Sequence, residues 1–80
     1  MTVRVRLFAV YRDLVGRKEV TLELPSGSTV AQAVQTLRND TAAHSLPAEP
    51  VVAVNEVYAS IESVLEHGDE LALIPPVAGG

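Results

Sequence analysis

The chain has 80 residues, 48% of them hydrophobic, and a formal net charge of −4 at neutral pH. That length holds one domain with a modest core and no second unit, and the apolar content excludes a disordered chain. The absence of cysteine excludes disulfides and thiolate metal sites.

The opening segment alternates, with Val3, Val5 and Leu7 on one side and Thr2, Arg4 and Arg6 on the other, which predicts a half-buried strand. Phe8 continues on the Arg4 and Arg6 side, where it is either covered locally or exposed as a contact for a partner. Ala9 to Val15 predicts a short helical turn stopped by Gly16, with Val10, Leu14 and Val15 sharing one side. Lys18 to Leu24 alternates again, with Val20, Leu22 and Leu24 inward, and pairs most simply with the first strand in antiparallel fashion.

Pro25-Ser26-Gly27-Ser28 breaks that strand. Thr29-Val30-Ala31-Gln32 then matches a capping box, and Val30, Ala33, Val34 and Leu37 follow at helical spacing to a helix end near Asn39. Residues 40 to 50 read as a loop interrupted by Pro47 and Pro50. Val51 to Val54 predicts a short strand, Asn55-Glu56 a tight turn, and Val57-Tyr58-Ala59 a return. Ile61, Val64 and Leu65 should pack as a bent connector. His67-Gly68-Asp69 is a turn signal, and Glu70 to Ile74 is the last strand, with Leu71 and Leu73 inward, ended by Pro75-Pro76.

Strand, strand, helix, short strands and final strand make an α+β fold, a mixed sheet packed on one main helix. The order suggests the ubiquitin-like β-grasp, in which the first and last strands lie side by side in parallel at the sheet centre. Residues 1–74 would form that domain and residues 75–80 a flexible, extended tail.

Charge is unevenly divided. Residues 1 to 40 hold all six bases against four acids, and residues 41 to 80 hold six acids and no base. Nucleic-acid binding is disfavoured, because phosphate contacts need clustered cations. The acidic half carries the tail, which hints at a basic docking surface on a partner. The alternating start is not a signal peptide and no segment is apolar enough to cross a bilayer, so a soluble, cytoplasmic protein without membrane contact is expected.

Side-chain chemistry is sparse. His44 and His67 fall in separate loops without ligand spacing, and no metal site is expected. Asp69 and Glu70 read as turn and strand-edge residues rather than an acid pair, and Ser60 and Ser63 have no evident base beside them. The chain end offers more. Pro75-Pro76-Val77-Ala78-Gly79-Gly80 is a stiff stem followed by small residues and a free carboxylate. An α-carboxyl group titrates at about pH 3.5, so the ionised Gly80 can attack the α-phosphate of ATP without help from this chain. The resulting acyl-adenylate is open to displacement by a sulfur donor, which would leave a thiocarboxylate. Six extended residues reach roughly 20 Å, and residues without Cβ can enter a narrow channel.

Val5-Arg6-Leu7-Phe8-Ala9, Arg12-Asp13-Leu14-Val15-Gly16, Ala53-Val54-Asn55, and Gly68-Asp69-Glu70 through Pro75-Pro76-Val77-Ala78-Gly79-Gly80 resemble the small subunits of molybdopterin synthase over essentially the whole chain. Ala78 stands where many relatives have threonine or serine. The resemblance implies a β-grasp sulfur carrier in molybdenum cofactor biosynthesis, a non-catalytic small subunit of a sulfurtransferase complex whose catalytic residues lie on the large subunit. It implies that Gly80 is adenylated, thiocarboxylated and then donates sulfur to cyclic pyranopterin monophosphate. It further implies that Gly79, Ala78, Val77, Pro76 and Pro75 thread into the large subunit, with Phe8 at the interface. The expected partners are that large subunit (in a heterotetramer), a ubiquitin-activating-like adenylyltransferase that uses MgATP, and a sulfurtransferase. No cofactor is expected on this chain itself. Related carriers for thiamine thiazole, cysteine synthesis, tRNA thiolation or protein conjugation share the diglycine, and a plain β-grasp interaction module with incidental glycines is a further alternative.

Overall fold

Alternation at the start of the chain builds β1 (Thr2–Leu7), whose Val3, Val5 and Leu7 are fully buried while Arg4 and Arg6 face out. A computed structural model describes residues 1–76; the expectations for Val77, Ala78, Gly79 and Gly80 fall outside the described residues. After β1 come α1 (Ala9–Val15), β2 (Glu19–Glu23), α2 (Val30–Arg38), β3 (Val51–Val54), β4 (Val57–Ala59) and β5 (Glu70–Ile74). The five strands form one sheet in the order β2-β1-β5-β3-β4. β1 pairs antiparallel with β2 and parallel with β5, and β3 pairs antiparallel with both β4 and β5. The first and last strands are thus neighbours at the centre, as the β-grasp arrangement requires.

α2 begins as its sequence dictates. The Gln32 N–H donates to Thr29 Oγ1 at 3.2 Å, and the Thr29 N–H donates to Gln32 Oε1 at 2.8 Å, so two otherwise unpaired amides are satisfied reciprocally. Its Val30, Ala33, Val34 and Leu37 are buried against one face of the sheet, with Val3, Val5, Leu7, Leu22, Leu24, Val52, Leu71 and Leu73 in the same cluster. Asn39 follows as the helix cap. Ser28, the buried polar residue among those described, donates its hydroxyl to the Pro25 carbonyl at 2.6 Å.

Two local expectations need correction. In α1 the buried residue is Tyr11, with Val15 packed partly behind it, while Val10 and Leu14 remain 51% and 46% exposed. Tyr11 and Val15 form one i,i+4 row, and Val10 and Leu14 form the neighbouring row. The first row faces the core cluster. In the connector, Leu65 is buried but Val64 is exposed, because Val64 forms an isolated antiparallel bridge with Thr29 and extended chain alternates sides. Residues 40 to 50 form the expected loop, a run of turns that in addition buries Ala43 and Leu46.

The turns follow backbone chemistry. Asn55 and Glu56 have φ of 50° and 71°, the two consecutive positive values of a type I′ hairpin turn. Gly68 takes φ 87° and ends the connector, with its N–H donating to the Thr2 carbonyl at 2.8 Å. Among the described residues, no helix is long and apolar enough to cross a membrane.

Candidate functional site at the root of the tail and the open sheet face

β5 is held along both sides. Leu71 to Leu73 lie between Val5 to Leu7 of β1 and Val52 to Val54 of β3, and Ile74 still pairs with Val51. Pro75 and Pro76 therefore leave from the middle of the sheet, at the end where β1 also finishes. Pro75 is half-buried and Pro76 exposed. Tyr11, Pro47, Pro50, Val51 and Ile74 join the two prolines around a recess of about 350 Å³. The start of the stem expected from sequence is thus rooted in a largely apolar collar, with Glu49 as its one charged member, and such packing lowers the conformational entropy left to lose when the chain is gripped.

The sheet face opposite α2 carries no helix. By the register, Ala72 of β5 lies between Arg6 of β1 and Ala53 of β3, and Ala53 lies opposite Tyr58 of β4. The two alanines make a low floor. Phe8, Tyr58 and Ile74 rise around it with Arg6, Glu56 and Glu70, enclosing a saddle of about 270 Å³. Phe8 is 40% exposed and Tyr58 75% exposed. The Arg6 guanidinium sits 5.3 Å from the centre of the Phe8 ring, within cation–π range. Arg6 also lies 3.5 Å from Glu70.

The turn from β1 into α1 sets Phe8 on this face. Its backbone is still extended, and its carbonyl accepts from the N–H groups of Tyr11 and Arg12 at 3.0 and 3.3 Å. Ala9 then takes φ 47°, which turns strand into helix within one residue. Phe8 is therefore partly exposed on this face and not buried under a local cover. Ala53, Tyr58, Ala72 and Ile74 were not assigned to a site by sequence; the signal was present in β5, where Ala72 and Ile74 alternate with the inward Leu71 and Leu73. Tyr11 at the collar was missed as well.

The remaining candidates are occupied with structure. His67 Nδ1 accepts from the Thr2 N–H at 3.0 Å, and His44 Nδ1 lies 2.6 Å from the Thr41 carbonyl. Asp69 accepts from Asn55 Nδ2 at 2.9 Å and from the Glu66 N–H at 2.8 Å, while Glu70 pairs with Arg4 and Arg6. Ser60 and Ser63 accept from turn amides. No group of three or more His, Cys, Asp or Glu side chains that could hold a metal ion occurs among the described residues. What the arrangement offers is a pair of prolines rooted at the sheet centre beside an open face with an alanine floor and a rim of aromatic, aliphatic and charged side chains.

A model of the ThiS family matches residues 5–80. The chain belongs to the ThiS family. This ThiS-family chain is 38% identical over 79 residues to the molybdopterin synthase sulfur carrier subunit of Arabidopsis thaliana, covering 98% of this chain and 82% of that one. Among solved structures, SAMP1 of Haloferax volcanii, a small archaeal modifier protein, superposes with a TM-score of 0.88 at 29% identity over the full length of both chains. A complex of subunits 1 and 2 of molybdopterin-converting factor from Helicobacter pylori contains the same fold, with a TM-score of 0.73 at 21% identity over all of both chains. These neighbours establish the ubiquitin-like β-grasp for the ThiS-family chain.

Proposed function

We propose that this protein is the sulfur carrier subunit of a molybdopterin synthase. The near full-length identity with a curated sulfur carrier subunit carries the assignment, and the sheet-centred exit of the stem supplies a physical reason for it. Residues 1–74 act as the β-grasp body and residues 75–80 as the carrier tail. An adenylyltransferase joins the Gly80 carboxylate to AMP from MgATP, with release of pyrophosphate. A sulfurtransferase system then replaces AMP with sulfur, and the thiocarboxylate gives up its sulfur to cyclic pyranopterin monophosphate in the large subunit. This chain holds no cofactor of its own and supplies no acid or base; its part is to place the carboxylate.

The saddle of Phe8, Ala53, Tyr58, Ala72 and Ile74 docks on the large subunit, while Pro75, Pro76, Val77, Ala78 and Gly79 lead Gly80 into it, in a cytoplasmic heterotetramer. A complex of subunits 1 and 2 of molybdopterin-converting factor is named for the Helicobacter pylori relative. The test is reconstitution. The protein isolated from sulfur-replete cells should be about 16 Da heavier at its chain end, one oxygen replaced by sulfur, and should yield molybdopterin with its cognate large subunit. Deleting Gly80 should abolish that yield. Retained activity in the deletion variant, or no product from the thiocarboxylated protein, would overturn the assignment.

A further inference from the structure

An activated acyl group reacts with amines, so the amines of this chain matter. Five of its six basic residues are arginines, which stay protonated in proteins and are poor nucleophiles. There is no thiol. The α-amino group of Met1 is partly buried and donates to the Leu24 carbonyl at 2.7 Å, while the Leu24 N–H donates back to the Met1 carbonyl at 2.9 Å. That amine is stitched into the end of the sheet opposite the tail. Lys18, the one lysine, is exposed. Its carbonyl accepts from the Leu7 N–H at 2.9 Å, which fixes it opposite the finishing end of β1. Because β1 and β5 run parallel, this is the end from which the tail departs.

Lys18 borders a recess of about 420 Å³ that also gathers Arg4, Arg6, Arg12, Glu19 and Glu70. Four cations face two carboxylates there, although the whole chain carries −4. The ion pairs of Arg4, Arg6 and Arg12 span 3.5 to 3.9 Å, so the guanidinium forks keep donors available for further anions. In the second half of the chain, which carries no base, Glu49, Glu56, Glu62 and Glu66 are exposed, while its Glu70 belongs to the recess itself. The acidic half of a second copy, which bears the tail, complements the recess around Lys18.

We propose that Lys18 is the acceptor at which the activated C terminus of a second copy is captured as an isopeptide. The proposal rests on the reading that Gly80 is adenylated. The ε-amine, having released a proton to water, attacks the carbonyl carbon of the Gly80 acyl-adenylate. A C–N bond forms, the acyl C–O bond to phosphate breaks, AMP leaves with that electron pair, and the excess proton on nitrogen passes to water. ATP supplies the activation and no electrons are exchanged with an oxidant or reductant. Each acceptor carries one such site, so chains grow without branching.

The experiment combines the full-length protein, its cognate adenylyltransferase and MgATP, and follows two signals. Pyrophosphate exchange that requires this chain reports adenylation of Gly80. Denaturing electrophoresis and peptide mapping report covalent dimer, expected at about twice the 8.5 kDa chain mass with Gly80 joined to Lys18. Lys18→Arg should leave exchange unchanged and lower the dimer at least tenfold. Exchange without dimer, dimer that persists in Lys18→Arg, or a linkage at Met1 would overturn the proposal and leave the adenylation reading standing. No exchange would overturn both.

Discussion

Asn55 ties the β3–β4 turn to the start of β5 with one side chain. Its Oδ1 accepts from the Glu70 N–H at 3.0 Å, its Nδ2 donates to Asp69 at 2.9 Å, and its own N–H donates to the Glu70 carbonyl at 2.8 Å. Asn55→Ala removes both side-chain bonds and puts alanine at a positive φ, so it should destabilise by about 2–3 kcal/mol, read by chemical denaturation. Phe8 is the opposite case. Its ring is partly exposed and makes no large contribution to the core, so Phe8→Arg should cost about 1 kcal/mol or less in stability. The same change should weaken binding to the large subunit at least tenfold in calorimetric titration, because it sets a second cation beside Arg6 on the apolar saddle. A loss of stability well beyond that figure would show that Phe8 serves the fold. Phe8 and the stem could be read from sequence because each breaks a local pattern. Ala53 and Tyr58 could not, since nothing local distinguishes them; only the strand register brings Ala53 beside Ala72 and Tyr58.

Among the elements, those with self-contained signals were legible in advance. The Thr29–Gln32 capping box and the Val30, Ala33, Val34, Leu37 stripe fix α2 without reference to the rest of the molecule. α1 is different, because Val10/Leu14 and Tyr11/Val15 are equally good i,i+4 rows. Which row turns inward is set by the core it packs on, a tertiary choice. Ala43 and Leu46 are buried in turns that have no period to read. The β3–β4 hairpin shows a further gap between sequence and ideal geometry. Glu56 occupies the second position of its type I′ turn at φ 71°, where glycine is preferred. Glu56→Gly should therefore stabilise the protein by about 0.5–1 kcal/mol, and at the melting transition each kcal/mol corresponds to about 4–8 °C in a domain of this size. A lower melting temperature would show that the Glu56 side chain makes a contribution larger than the strain it carries.

At the scale of the whole molecule, the chain closes its sheet with its own ends. A protein of this length is held by about 4–12 kcal/mol. β5 contributes two fully buried leucines, Leu71 and Leu73, and loss of a buried leucine side chain costs about 2–5 kcal/mol. A chain ending at Pro76 should match the full-length protein in unfolding free energy to within about 0.5 kcal/mol, whereas one ending at Glu70 should fail to fold, as circular dichroism would record. The central place of β5 also has a mechanical consequence. A partner that pulls on the chain beyond Pro76 pulls along the strand axis, and the hydrogen bonds to β1 and β3 lie across that direction on both flanks. The load is shared by both ladders in shear and cannot open them one bond at a time, as it would if the tail continued from an edge strand pulled sideways. The body can therefore serve as an anchor while its chain end is drawn into a cleft, worked on and drawn out again, without unravelling between rounds.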